Sequence, residues 1–179
     1  MVGQNLQDHI CTYLGPFFTN PNTSQILDRD ASIIDAAKFF ITKNGMTTST
    51  TAHAMAFLAT PKAKLEGLGD WSDIQLIYSG FSIFKEYARD VAHGFHMDPV
   101  KLQKYYEHAV EKDSFTVLTS LARPVQRGEI LLRSSDPYDT LHIDPKYLQN
   151  QEDIQVLIQG VKMVVELAEK SSSFQRIGA

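Results

Sequence analysis

His93 and His96 stand three residues apart, a spacing that can bring two imidazoles to one metal ion on a helix. Gly94 between them weakens a helix, and only Asp90 and Asp98 lie near enough to complete a ligand set, so the pair reads as solvated or loop-packed. Asp136, Asp139 and Asp144 are the acids that could gather a calcium ion, but they lack the regular spacing of a calcium loop, and Asp136-Pro137 reads as a turn. The single cysteine, Cys11, lies in an apolar run and reads as a buried, inert thiol. Gly67-Leu68-Gly69 is the best fragment of a phosphate-binding turn, yet Ser72 stands where a third glycine belongs and no strand pattern precedes it. There is no Walker-type loop and no Gly-x-Ser-x-Gly elbow. The residues by themselves assign no metal and no self-contained active site.

The elements that would position such groups are legible in outline. With 179 residues, the length is that of one domain or slightly more. A formal charge of -4 argues against nucleic-acid binding by broad phosphate neutralisation. The longest stretch free of Asp, Glu, Lys and Arg, His9 to Leu27, is broken by prolines and polar residues, so no membrane span is expected, and the polar N-terminus does not read as a signal peptide. Three helices are predicted. One starts at Asp98-Pro99, with Leu102, Tyr105, Tyr106, Ala109 and Val110 along one face. Another opens at Asn150, with Asp153 as the far half of a capping box and Ile154, Leu157, Ile158, Val161, Val165 and Ala168 as its buried stripe. A third spans about 30–44, with Ile33, Ala37, Phe40 and Ile41 inward and Asn44-Gly45 as its stop. Strands are predicted at Phe115–Ala122, Ile74–Ser79, Ala54–Ala59 and, more weakly, Ile10–Phe18. Glu129–Arg133 reads as a further strand beside the one ending at Arg123-Pro124, and Lys62–Asp70 as an exposed loop. Strands without strict strand–helix alternation predict an α+β fold, a largely antiparallel sheet backed by helices.

Two stretches add a family. Val2-Gly3-Gln4-Asn5-Leu6-Gln7-Asp8-His9 resembles the Val-Gly-x-Asn-Leu-x-Asp-His segment of the glucose-methanol-choline (GMC) oxidoreductases. Arg123-Pro124-Val125-Gln126-Arg127-Gly128-Glu129-Ile130 through Ser134-Ser135-Asp136-Pro137, then Ile143-Asp144-Pro145-Lys146-Tyr147-Leu148, Asp153, Leu157 and Gly160-Val161-Lys162, resembles the start of that family's C-terminal block. Asp73-Ile74-Gln75-Leu76 between them fits as well, so the resemblance spans nearly the whole chain and looks closest to the animal glucose-dehydrogenase-like branch. Gln126, Thr140-Leu141 and Lys146 depart from the common residues, in positions that read as turns and surface.

The resemblance implies an FAD-dependent enzyme that oxidises CH–OH groups of small alcohols or sugars, hydride passing to the flavin as a base takes the hydroxyl proton. It implies that residues 1–9 are the tail of an FAD-binding region and 10–179 a substrate-binding domain, incomplete at its C-terminal end. The family's Gly-x-Gly-x-x-Gly turn and its His-Pro-x-Gly-Thr-like catalytic region are not in this sequence, and none of the six histidines precedes a proline. No catalytic residue is therefore assigned, and the chain alone is expected to be inactive, to need the FAD-binding part as its partner, and to expose apolar surface. By the same resemblance the strand ending at Arg123-Pro124 faces the flavin cavity. Leu118, Ser120 and Ala122 are then expected to line the pocket, with Phe115, Val117 and Leu121 packed on helices. Tyr78 is a further substrate-binding candidate, and Asn5 and His9 are candidates for supporting the cofactor. The competing expectation is a binding module that kept the substrate-domain fold without the chemistry.

Overall fold

The computed structural model describes residues 2–179. Its strands are β1 (Cys11–Phe18), β2 (Ala54–Leu58), β3 (Ile74–Ser79), β4 (Ser114–Leu121), β5 (Glu129–Leu131) and β6 (His142–Asp144). Its helices are α1 (Leu27–Asp30), α2 (Ile33–Thr42), α3 (Pro61–Leu65), α4 (Tyr87–Phe95), α5 (Pro99–Tyr106), α6 (Gln151–Lys170) and α7 (Ser172–Arg176). Four strands form one sheet in the order β1-β4-β3-β2. The amides of Leu121 and Thr19 donate to Ile10 O and Asp113 O, so β1 and β4 run antiparallel. Ala122 N donates to Asp73 O, and Asp73 N to Leu58 O, which sets β4 against β3 and β3 against β2 in the same sense. The expected α+β class with an antiparallel sheet is what the chain adopts.

Contacts divide the chain into two compact units, Met1–Thr12 with Ala56–Leu76 and Thr119–Val164, and Tyr13–Met55 with Ile77–Leu118 and Val165–Ala179. In the first unit, α6 approaches the sheet at Gly160. A Cβ there would lie 2.8 Å from Thr119 Cγ2 and 2.9 Å from Ile74 Cδ1, so glycine is what permits the approach. The buried line of α6 is Asp153, Val156, Gly160, Val164 and Ala168, of which only Ala168 belongs to the predicted stripe. The predicted stripe gathers the bulkiest apolar residues, and the helix instead turns its smaller ones inward, about one residue further round. Asp153 is not the far half of a capping box. It is buried, and its carboxylate accepts the amides of Val125 (2.8 Å) and Gln126 (2.9 Å), while Asn150 Oδ1 caps the helix by accepting Glu152 N at 2.7 Å.

Lys62–Asp70 is not simply a loop. Thr60 caps α3, Pro61 holds its first position, and Gly67 ends it in the left-handed region with Leu68 N bonded back to Ala63 O. Thr60 in turn gives its amide and hydroxyl to the two oxygens of buried Asp73, at 2.7 and 2.6 Å. Strand β5 pairs with β6, Glu129 opposite Asp144, and not with β4 as the sequence suggested. Cys11 is exposed, not buried.

In the second unit, Phe115 stacks between Phe17 (centroids 5.0 Å apart) and Phe174 (4.7 Å), with Tyr78 against Phe115 at 5.3 Å. Helix α5 starts as expected: Asp98 accepts Val100 N and Lys101 N, and Pro99 follows. Tyr106 and Ala109 pack with Ile83, whereas Tyr105 is exposed. Helix α2 differs most from expectation. Ser32 caps it, Lys43 ends it at φ 56°, and Ile33, Phe40 and Ile41, read as inward, are 90%, 73% and 82% exposed.

Candidate functional site

The second unit holds a cavity of about 970 Å3. Its floor is the sheet face that carries Ile77 and Ser79 of β3 and Thr116 and Leu118 of β4. Strand alternation sends Tyr78, between Ile77 and Ser79, and Phe115, just before Thr116, to the opposite face, into the aromatic stack. The walls come from α2 (Ile33, Asp35, Ala36), from Phe81 and Phe84, and from α4 (Tyr87, Asp90, Val91, Phe95). Tyr13 of β1 meets Phe95 edge-on at 6.0 Å. Burial, with Tyr106 and Tyr13 adding to it, holds the Tyr87 phenol well above its ordinary pKa, so it stays neutral and can only exchange hydrogen bonds.

Two carboxylates border the cavity, and both are engaged. Ser32 Oγ donates to Asp35 Oδ2 at 2.5 Å and Lys38 Nζ lies 3.6 Å from Asp35 Oδ1; the Ser32 bond is the main reason that the Asp35 pKa is lowered. Arg89 donates to Asp90 Oδ1 through Nε and Nη2, at 3.2 and 3.1 Å. The lining contains no Lys, Arg, His, Asn, Gln or Glu. The site can therefore enclose an apolar body and orient a small polar group with hydroxyls. Nothing in it is a free general base.

Of the predicted pocket residues, Leu118 lies in this floor. Tyr78 lies on the other face, its pKa raised by burial among Phe115 and Phe174. Ser120 and Ala122 belong to the first unit, Ser120 buried and Ala122 half-buried. Ile77, Ser79 and Thr116 are floor residues that the sequence reading did not single out. For Thr116 the signal was present, since it shares the parity of Leu118. In β3, Tyr78 has the opposite parity to Ile77 and Ser79.

The N-terminal and central motifs interlock in the first unit. Leu6 and Gly128 exchange backbone hydrogen bonds at 3.0 and 2.8 Å, and Gln7 Nε2 donates to Pro124 O at 2.8 Å. Arg127 Nη1 donates to the carbonyls of Pro124, Val125 and Gln126, closing the turn on itself. His9 is exposed, with Nδ1 2.6 Å from Leu121 O, so that nitrogen must carry the proton. Tyr147 donates its hydroxyl to Asp8, and this bond, with some burial, pushes the phenol pKa up to about 12. Asn5 is exposed beside the Leu6 bridge.

Elsewhere in this unit Glu129, His142 and Asp144 bring one ligand atom each within 4.8 Å of one another on one face of the β5–β6 ribbon, the one group of at least three such residues among those described that could hold a metal ion. His93 and His96 do not pair on a helix face, because His96 is the left-handed residue that ends α4. Asp136 caps a turn by accepting Tyr138 N at 2.9 Å.

Comparison with known proteins places these features. Residues 124–178 match the family model described as GMC oxidoreductase. Over 171 residues, 95% of the chain is 25% identical to the glucose dehydrogenase [FAD, quinone] of Drosophila pseudoobscura pseudoobscura, covering 24% of that protein. The oxygen-dependent choline dehydrogenase of Ectopseudomonas mendocina is 26% identical over 93% of the chain and 25% of its own length. The formate oxidase of Aspergillus oryzae superposes on 98% of the chain and 31% of its own, with a TM-score of 0.67 at 19% identity.

The chain is similar to GMC oxidoreductases along nearly its whole length. It spans about a quarter of the length of these curated GMC relatives. The described residues do not build the flavin cradle that the GMC name implies. The main sheet is antiparallel, and Gly67-Leu68-Gly69 ends a helix where a dinucleotide turn must begin one. The N-terminal motif and the Arg123–Ile130 start of the second stretch meet in a backbone lock, with Ile130 N also donating to Gly3 O at 2.7 Å. No helix among the described residues is long and apolar enough to cross a membrane.

Proposed function

We propose that residues 10–179 are the substrate-binding part of an FAD-dependent GMC oxidoreductase that oxidises CH–OH groups of alcohols or sugars, with residues 1–9 the tail of its FAD-binding region. The single observation that carries this reading is the cavity floored by Ile77, Ser79, Thr116 and Leu118 in a chain similar to this family. Leu118 holds the substrate in this reading. Ser120 and Ala122, of the same parity along the same strand, lie in the first unit. Asn5 and His9 support the flavin region in this reading, His9 held in place by its bond to Leu121 O. The chain supplies binding and orientation, while the flavin cradle and the base that takes the hydroxyl proton come from other parts of the protein.

The test is an assay of the purified chain with FAD, an alcohol and a dye acceptor. The expected result is no retained flavin and no turnover, with activity appearing only when the chain is joined to coding sequence that supplies a Gly-x-Gly-x-x-Gly turn and a His-Pro-x-Gly-Thr-like segment. Tight flavin binding with alcohol oxidation by the chain alone would overturn the proposed division of labour.

A further inference from the structure

Resting on that reading of the cavity, we infer that the alcohol taken by this protein is bulky and largely apolar, neither a hexose nor a small quaternary-ammonium alcohol. Size is the first argument. At about 970 Å3 the cavity stands at the top of the range of roughly 300–1,000 Å3 that encloses drug-sized ligands. A hexose would leave much of that space as water.

Composition is the second. A sugar presents several hydroxyls that each donate and accept, and a site that desolvates them must answer with matched polar side chains or lose affinity. The lining has no Lys, Arg, His, Asn, Gln or Glu, its two carboxylates are already taken, Asp35 by Ser32 and Lys38, Asp90 by Arg89, and its remaining side-chain polar groups are Ser, Thr and Tyr hydroxyls, with no amide or charged group to read a sugar's hydroxyl pattern. Aromatic rings such as Tyr13, Phe81 and Tyr87 can in general hold a quaternary ammonium. Here the counter-charge such a cation needs is committed to Arg89 and Lys38, and the cavity is several times too large for it.

Placement is the third. In the sheet floor the polar atoms are the hydroxyls of Ser79 and Thr116, set beside the apolar Ile77 and Leu118. That is enough to orient one substrate hydroxyl against the sheet while the hydrocarbon body lies along the aromatic walls.

The experiment titrates the purified chain with farnesol, farnesene, glucose and choline, reading affinity by calorimetry and position by the methyl resonances of Ile77 and Leu118. Farnesol is expected to bind and move both methyl sets, with glucose and choline leaving them in place. Leu118→Trp fills the floor and should weaken farnesol about tenfold. Thr116→Val, nearly isosteric and so a safeguard against misfolding, should bring farnesol toward farnesene by about fivefold. Glucose or choline moving these methyls where farnesol does not would overturn the apolar inference and leave the oxidoreductase reading standing. Equal binding of farnesol and farnesene to both wild type and Thr116→Val would sink the alcohol reading itself, and the inference with it. Failure of all four ligands to move the methyls would overturn the inference.

Discussion

Helices α2 and α6 carry apolar residues at the same helical spacing, yet the chain uses them in opposite ways. The first-unit part of α6 comes down on the sheet at Gly160, anchored at its start by Asp153, whose carboxylate receives the amides of Val125 and Gln126. Helix α2 exposes Ile33, Phe40 and Ile41, and its contribution to the fold is the Ile33–Ala36 end that walls the cavity. Two similar periodicities thus serve a packing seam in one case and the rim of a cavity in the other. What separates them is not the stripe but its surroundings: a residue small enough to allow close approach, and a buried polar anchor that fixes the helix in rotation.

The largest test of that contrast is Gly160→Val. Its branched side chain must enter space already held by Thr119 Cγ2 and Ile74 Cδ1, so stability should fall by about 3 kcal/mol, read as the midpoint of urea unfolding. Ala37→Val, on the exposed α2, should change it by less than about 0.5 kcal/mol. Equal effects would erase the distinction between the helices.

Asp153→Ala comes next. It leaves two amides of the Arg123–Gly128 turn without their acceptor in a part-buried setting, and a loss of about 1–2 kcal/mol is expected. Hydrogen exchange should accelerate first at Val125 and Gln126. If exchange there is unchanged, the carboxylate is not what holds the turn.

The same residues mark how far sequence reasoning reached. Strand β4 was legible because its apolar and β-branched residues are buried on both faces, a pattern that survives any choice of register. The start of α5 was legible because Asp98-Pro99 is a local device that acts within one turn. The buried line of α6 was not. It is set by how closely a glycine lets the helix approach Thr119 and Ile74, residues far away in sequence. Asp153 was read as a local cap for the same reason, its partners lying 27 and 28 residues back. The short β5 was assigned to the wrong neighbour, since three residues carry too little alternation to choose a partner. At the cavity, Leu118 lies in the floor, whereas Tyr78 lies on the other face of the sheet against Phe115 and Phe174, a placement that depends on strand register and on aromatic partners far away in sequence.

A smaller effect is expected in acid, at the network behind α1. Burial works against the charged form of Asp113, but the Arg29 guanidinium and the hydroxyl and amide of Ser24 overcome it and hold the carboxyl at about 2, below its usual 3.8. A carboxyl depressed in the folded state adds stability that is complete above about pH 4 and is lost as pH falls toward 2. Unfolding midpoints should therefore drop across that window. Arg29→Met should raise the Asp113 pKa toward its ordinary value and shrink the drop. An identical pH profile in the variant would remove Arg29 from the account.

The smallest effect on stability, and the most direct statement about α2, is Phe40→Ser combined with Ile41→Lys. Both side chains are mostly in solvent, so little burial is given up and the unfolding midpoint should move by less than about 0.5 kcal/mol. Solubility should change in the other direction, because the substitutions break up an exposed apolar face of the kind that promotes self-association. Light scattering of the two chains at equal concentration reads the difference. The cavity supplies the control: farnesol affinity should be unaltered, since neither residue lines the cavity, whereas Ile33→Ser at its wall should weaken it. A loss of stability in the double variant would mean that the outer face of α2 is packed after all, and the contrast with α6 would then be one of degree.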